Sequence, residues 1–339
     1  MKERRIFEPK PAFAQRMEKL LVDKGDLGKY WEIVKTEPVN SIRVNTLKIC
    51  PNELKKKLES YGWIISIPWE NFPEVMIVEG KDPSGKEGEI IYNGVAKLEP
   101  GELGRSLEHL LGYYYIQELS SMLPVIATDP KEGEDYLDLC ASPGSKTTQA
   151  GACMKNSGAI VANEVSLGRM RILASNLERC GIMNAIITRK DGRDLTRKFF
   201  GNNFLFDKIL VDAPCSGEGT IRSSPKTCLL WNLKTIKSLS KLQKQLLKNS
   251  FMCLKVGGEI VYSTCTHAPE ENEGVINQML EDLGDCIEIV DFDLPLKTRP
   301  GITEWEGEKY DPRVRVSKRI YPQDNNTEGF FVAKFRRIK

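Results

Sequence analysis

The chain has 339 residues, 40% of them hydrophobic and 28% charged, with a formal net charge of +2. That length carries a core that needs no staples, leaves room for two domains, and nowhere reaches the roughly 18 consecutive apolar residues of a membrane helix. Nine cysteines without a Cys-x-x-Cys pair and only two histidines, His109 and His267, point to reduced thiols and away from a disulfide framework or a structural zinc site, so no metal is expected.

In chain order, residues 1–6 hold no apolar core, so no secretory signal is expected and the protein reads as cytoplasmic. Residues 1–40 read as helical, with Phe13, Met17, Leu20 and Leu21 at helical spacing. Residues 41–47 alternate as a strand does. Residues 51–58, opening on Pro51 and Asn52, form a short amphipathic helix, and 63–68 and 74–78 read as strands. Together they make a small α+β unit over residues 1–112. From Tyr113 strands alternate with helices: strands at 136–140, 159–163, 185–188, 209–212 and 259–265, a helix over 271–283, and a C-terminal hairpin of 314–320 with 329–335. Five repeats of strand and helix predict a doubly wound α/β sheet over residues 113–339.

The chemistry sits at the strand ends. Ile209-Leu-Val-Asp212 is a branched apolar run that delivers Asp212 to the carboxyl edge of a parallel sheet, with Cys215 in the turn that follows. Glu259-Ile-Val-Tyr-Ser-Thr-Cys265 places a second cysteine just past another strand. After the first strand, Asp138-Leu-Cys-Ala-Ser-Pro-Gly-Ser-Lys146 is a small-residue turn that lets backbone approach a ligand, with a helix N-terminus behind it. It has neither phosphate-loop nor Gly-x-Gly-x-x-Gly spacing. Glu164 at the second tip suits a ribose diol, and Asp191 at the third suits an exocyclic amine. Each acid alone reads equally as a solvated carboxylate or a helix cap. Acids at three successive tips favour a nucleoside with no phosphate to cradle, and S-adenosyl-L-methionine fits. A thiolate that adds at C6 of a pyrimidine makes C5 electron-rich enough to accept a methyl group, which gives a cysteine at this edge a use.

Between Ile221 and Gly258 there is no acid, and Lys234, Lys237, Lys241, Lys244 and Lys248 recur at alternating spacings of three and four, on one helical face. Such a face is commonly plain solvated surface; the lack of acids favours a track for phosphates. Arg43 and Asn45 either touch the same substrate or close the N-terminal unit onto the core. Trp231 and Tyr113 to Tyr115 offer stacking faces, although core packing is the commoner role.

Four stretches carry a family resemblance: Asp138-Leu-Cys-Ala-Ser-Pro-Gly-Ser-Lys-Thr147, Asp212-Ala-Pro-Cys-Ser-Gly217, Tyr262-Ser-Thr-Cys-Thr266 with Pro269-Glu-Glu-Asn-Glu273, and Glu328-Gly-Phe-Phe-Val-Ala-Lys334. With the lead-ins at 43–46 and 114–124, they resemble the Nop/Sun-type RNA cytosine-5 methyltransferases from about Arg43 to the C-terminus. The resemblance implies a small RRM-like N-terminal domain on a Rossmann-like class I methyltransferase core. It implies that Cys265 attacks C6, that Cys215 helps release the product, that Asp212 hydrogen-bonds the base edge, and that Lys146 lies near the catalytic cleft. On the residues alone the two cysteines cannot be ranked, since local positive charge activates either. The implied cofactor set is Cys140, Ala141, Ser142, Pro143, Gly144, Ser145, Lys146, Glu164, Arg169, Asp191, Gly192 and Asp212. Ser142 and Ser145 stand where that family usually has Ala and Gly.

The expectation is therefore an S-adenosyl-L-methionine-dependent enzyme that forms 5-methylcytosine in RNA, tRNA ahead of rRNA, acting as a monomer. RNA contacts are expected from Arg43, Asn45, Lys234, Lys237, Lys241 and Lys244. A non-catalytic RNA-binding factor of the same fold and a DNA methyltransferase are the competing readings.

Overall fold

The computed structural model describes residues 8–85, 89–92 and 94–339; the stretch read for a leader, residues 1–6, lies outside them. Two helices come first, α1 (Pro11–Leu20) and α2 (Lys24–Ile33). Their apolar face, with Phe13, Met17, Leu21 and Tyr30, is buried against Ile221, Trp231, Ile236, Ala268 and Tyr321. These helices thus cover the large domain and not the small sheet that follows them in sequence. Helical spacing reveals that a face is apolar, but not which body it covers.

The small sheet contains β1 (Ser41–Val44), β2 (Trp63–Ser66), β3 (Val75–Lys81), β4 (Ile91–Tyr92), β5 (Val95–Ala96) and β6 (Tyr114–Ile116). β1 lies between β3 and β6, antiparallel to both. Helix α3 (Pro51–Glu59) starts on a proline, whose missing N–H is harmless in a first turn, and buries Leu54 and Leu58 against this sheet. The last strand, β6, lies beyond Gly112, where the residue pattern changes. Gly112 has φ +72°, and a Cβ there would sit 1.9 Å from the Arg179 carbonyl oxygen, so only glycine fits where the chain passes the end of the Leu167–Cys180 helix.

The large domain alternates α4 (Leu119–Thr128), β7 (Asp135–Asp138), α5 (Ser145–Cys153), β8 (Ala159–Asn163), α6 (Leu167–Cys180), β9 (Ala185–Thr188), α7 (Gly192–Gly201), β10 (Phe206–Asp212), α8 (Leu233–Phe251), β11 (Leu254–Thr264) and α9 (Glu273–Leu283), then adds β12 (Ile287–Val290), β13 (Lys318–Ile320) and β14 (Phe330–Arg337). The strand order is β13-β14-β11-β10-β7-β8-β9, with β12 also on β14. The five strands from β9 to β11 are mutually parallel, and β14 runs antiparallel to β11. This is the Rossmann-like core. Ile209, Leu210 and Val211, with Ile260, Val261 and Tyr262 beside them, are fully buried, as strands covered on both faces must be. The chain winds outward from β7 to β9 and returns to β10 on the other side of β7. The crevice of such a sheet opens at that reversal, above the β7 and β10 carboxyl ends.

The predicted C-terminal hairpin is shorter than its alternation implies. Residues Pro312–Val316 form a 3-10 turn that Asp311 caps through the Arg313 N–H, and only Lys318–Ile320 pairs with β14. Proline at the first position and an aspartate cap outweigh the alternating valines.

Arg319 of β13 locks this arrangement. Its guanidinium meets the Glu273 carboxylate at 2.6 Å through both Nε and Nη2, and Nη1 donates to the His267 carbonyl at 3.0 Å, all in the interior. Glu273→Ala would leave a buried guanidinium without its counter-charge. We expect a loss of about 3–5 kcal/mol, read as a lower urea midpoint at unchanged denaturant slope.

Candidate active site

Asp212 of β10 lies in register with Ser263 of β11, so the turns that follow leave the sheet side by side. Their sulfurs converge: Cys215 Sγ and Cys265 Sγ are 3.1 Å apart, and both residues are partly buried. Three residues of the Pro269-Glu-Glu-Asn-Glu273 run hold this geometry. Glu271 Oε2 accepts from the Ser216 N–H at 3.0 Å and from Gln243 at 2.8 Å. Asn272 binds Thr264 Oγ1 at 2.6 Å and the Thr266 carbonyl at 2.9 Å, and Glu273 holds Arg319. Gly219 donates its N–H to the Cys265 carbonyl at 2.9 Å, while Gly329 donates to the Gly219 carbonyl at 2.9 Å. A Cβ on Gly219 would lie 2.2 Å from the Gly329 carbonyl oxygen, so this meeting of three chain segments behind Cys265 demands glycine.

Beside the thiols, Asp212 is held on both oxygens. Oδ1 accepts from Ser263 Oγ at 2.7 Å, and Oδ2 pairs with Lys146 Nζ at 2.8 Å. Lys146 is buried, donates also to Ser121 Oγ at 3.1 Å, and lies over the Phe330 ring. Burial works against its charge, but the Asp212 carboxylate outweighs that and keeps the ammonium above the usual lysine range. For Cys215, the sulfur contact with Cys265, with burial added, pushes the thiol well above the usual thiol range.

Two clefts meet at this point. One, of about 270 Å³, is lined by Cys140, Ser142, Glu164, Arg169, Asp191 and Gly192, and reaches Asp212, Cys215 and Cys265. The other, of about 340 Å³, opens between the two domains, with Glu118, Ser121, Lys146, Asp212, Cys265 and Phe330 in its wall. The first cleft fits a nucleoside with a cationic tail. Glu164 is buried, accepts from the Ser166 N–H at 2.8 Å and pairs with Arg169 at 3.2 Å. Ser142 donates its hydroxyl to the Arg169 carbonyl at 2.9 Å and accepts from the Arg169 guanidinium at 2.7 Å through its own carbonyl, which gives the hydroxyl a structural use at that position. Pro143, joined to Ser142 by a cis peptide, and Gly144, with φ +104°, complete the turn into α5, where Ser145 is the first helical residue. Asp191 caps α7 through the Arg193 N–H at 2.9 Å, and the Arg193 guanidinium holds its carboxyl below the usual range. The third acid is therefore both a cap and a cleft wall. Asp138, beneath the turn, is 1% exposed; burial pushes it up to about 7, and its Oδ1 has no partner among the described residues.

The structure turns other expected residues inward, which corrects their assignment as RNA contacts. Arg43 is buried and donates to the Ser145 carbonyl at 2.7 Å and to Thr148 Oγ1 at 2.8 Å. Asn45 donates to the Gly112 and Cys180 carbonyls at 2.8 and 2.7 Å. Both fasten the small sheet to the large domain. Trp231, Tyr114 and Tyr115 are buried, and Trp231 Nε1 donates to Glu218 at 2.6 Å. His267 is buried against Tyr321, and burial keeps its ring neutral, with the pKa down at about 3. Lys234, Lys237 and Lys241 are exposed and Lys244 is partly so, all on α8, whose other face buries Ile236, Leu246 and Leu247. None of these four forms an ion pair among the described residues, whereas Lys248 is paired with Asp282 at 2.8 Å. Ser121, Glu118, Phe330 and Glu328 line the second cleft without having been expected there. An acid directly ahead of the Gly329-Phe330 strand was the one available signal for Glu328.

A family model described as 16S rRNA methyltransferase RsmB/F matches residues 125–336. The chain is 39% identical over 327 residues to a tRNA (cytosine(49)-C(5))-methyltransferase of Pyrococcus abyssi, covering 95% of this chain and 97% of that protein. It is 37% identical to ribosomal RNA small subunit methyltransferase F of Erwinia tasmaniensis, covering 98% of this chain but only 64% of that protein's length. Among solved structures, a methyltransferase homolog from Pyrococcus horikoshii superposes with a TM-score of 0.75 at 32% identity, over 97% of this chain and 99% of that one. NSun6 from the same organism, solved with SFG, gives 0.78 at 25% identity, over 97% and 98%.

The buried carboxyl under the turn makes stability depend on pH. Asp138 holds its proton to about 7 when folded but loses it near 4 when unfolded. The folded state therefore binds more protons between those values, and stability falls as pH rises through that window. Asp138→Asn should reduce this slope by up to one proton, measured by urea unfolding at a series of pH values.

Proposed function

We propose, since this chain belongs to the RsmB/F family of 16S rRNA methyltransferases, that it is an S-adenosyl-L-methionine-dependent RNA cytosine-C5 methyltransferase and that tRNA is its substrate. The observation that carries this reading is the pair of sulfurs 3.1 Å apart beside the Asp212–Lys146 ion pair, where two clefts meet. Near end-to-end correspondence with a tRNA enzyme favours tRNA over rRNA. The protein acts in the cytoplasm, as a monomer and without a metal. Among the described residues no helix is long and apolar enough to cross a membrane, and no cluster of three metal-ligating side chains occurs.

Cys140 to Lys146, Glu164, Arg169, Asp191, Gly192 and Asp212 hold the cofactor, with Glu164 accepting from its ribose. Bound there, S-adenosyl-L-methionine supplies an electrophilic methyl group. The target cytosine leaves its stack and enters between Asp212, Cys215 and Cys265. Cys265, within hydrogen-bond distance of the Cys215 sulfur, is the nucleophile. The Cys265 thiolate bonds to C6, and the pair released from the C5–C6 double bond makes C5 reactive. Asp212, oriented by Ser263 and Lys146, accepts from the base edge. Cys215 takes part in removing the C5 proton, relaying it to water, and the C5–H pair re-forms the C5–C6 double bond as the carbon–sulfur bond breaks and Cys265 leaves as thiolate. The exposed lysines of α8 track the RNA backbone.

With tritium-labelled cofactor, the wild-type chain should label tRNA and leave 16S rRNA unlabelled; the reverse pattern would replace tRNA by rRNA. Cys265→Ala should abolish labelling. Cys215→Ala should accumulate a protein–RNA adduct that survives a denaturing gel, and an adduct formed instead by Cys265→Ala would exchange the two roles.

Charge reversal at Lys241 and Lys244 tests the backbone track separately. RNA binding should weaken, and its dependence on salt should flatten by about one to two phosphate contacts. Unchanged affinity would make the stripe ordinary surface.

A further inference from the structure

Glu328 leads into β14 and forms part of the interdomain cleft that also holds Lys146, Asp212, Cys265 and Phe330. It is 3% exposed. Its Oε1 accepts from the Ser223 N–H at 2.8 Å, and its own N–H donates to Glu118 Oε1 at 2.9 Å. Oε2 has no hydrogen-bond partner among the described residues. Leaving a buried carboxyl oxygen unpaired is unfavourable, and nothing in the framework around the cysteines uses this atom. That framework is held by Glu271, Asn272, Glu273 and Arg319.

The charges around Glu328 come from four elements. Glu118 starts α4 and is tied to the Ser120 and Ser121 N–H groups. Arg222 gives its guanidinium to the Thr327 and Glu37 carbonyls and to Asn326. Lys146 of α5 is held by Asp212 of β10. Burial first, and then the neighbouring Glu118 charge, push the Glu328 carboxyl up to about 7. Near neutrality a large share of molecules therefore carry a proton on this side chain, and a protonated carboxyl is a donor.

The step below rests on the cytosine-C5 reading. When C6 of cytosine faces Cys265 and C5 faces the cofactor cleft, N3 lies across the ring from C6, and C2 with its oxygen lies across from C5. Bonding of sulfur to C6 drives an electron pair through C4 onto N3, shared with O2. We propose that Glu328 is the acid that serves this edge, donating its Oε2 proton toward N3 and O2 as the adduct forms, while Asp212 accepts from the N4 amine. As C5 takes the methyl group, the pair returns through C4 into the new bond at C5 and the proton returns to Oε2; the C5–H pair then re-forms the C5–C6 double bond as the carbon–sulfur bond breaks. The same donor discriminates against uracil, whose N3 already carries hydrogen.

The test is the pH dependence of single-turnover methylation by the full chain on a transcript that the wild type methylates. The wild-type rate should fall as pH rises through about 7. Glu328→Gln keeps the shape and an acceptor for Ser223 but cannot pass a proton. It should be slower by on the order of 10²-fold, lose that falling limb, and bind S-adenosyl-L-methionine as tightly as wild type in equilibrium dialysis. Glu118→Gln, which removes the adjacent charge, should move the wild-type limb to lower pH, and so tests the idea even if Glu328→Gln fails to fold. An unaltered limb in either variant overturns the proposal. A wild-type chain that places no methyl on any RNA overturns the methyltransferase reading itself, and this inference with it.

Discussion

The parallel pairing of β10 with β11 is the constraint on which the rest of the site depends. Asp212 opposes Ser263, and from that register the two turns carry Cys215 and Cys265 to a sulfur separation of 3.1 Å. A slip of one residue would invert every side chain on the moved strand and bury one thiol in the sheet. The register is over-determined. Ile209 to Val211 and Ile260 to Tyr262 are fully buried on both faces, and Ser263 donates to Asp212 across the pair. Beyond the strand ends, Glu271, Asn272 and Glu273 fix the turns by hydrogen bonds and an ion pair that have no solvent to compete with them.

Electrostatics then divides labour among buried groups. Lys146 remains charged because Asp212 supplies the counter-ion that water would otherwise supply. Asp138, Glu271 and Glu328 form no ion pair among the described residues, and burial raises all three to about 7. One ion pair and three acids that hold protons near neutrality give the catalytic edge both acceptors and donors within one domain. The proposed reaction, which accepts from an amine and steadies a developing anion, calls for groups of both kinds.

The two domains are one machine because polar side chains fasten them. Arg43 reaches from β1 to the Ser145 carbonyl and Thr148 at the head of α5, so the turn at residues 140–146 is braced from the small sheet. Asn45 ties the same sheet to the Cys180 carbonyl at the end of α6. In sequence a lone Arg and Asn on a strand look the same whether they face a substrate or a neighbouring domain. Likewise Phe13, Met17 and Leu21 announced a buried face without naming Trp231 and Tyr321 as its partners.

The sequence by itself determined the alternation of strand and helix, the delivery of Asp212, Cys215 and Cys265 to one sheet edge, and the small-residue turn at 140–146. These are local properties: a buried parallel strand must be apolar, and a tight turn must be small. Only the tertiary structure decided that the sulfurs touch, that Lys146 neutralises Asp212, that Arg43 and Asn45 are braces, and that Glu118 and Glu328 face the cleft. Those facts depend on contacts between residues dozens to hundreds of positions apart. No residue type or spacing encodes such a contact until the sheet order and the packing of the two domains bring its partners together.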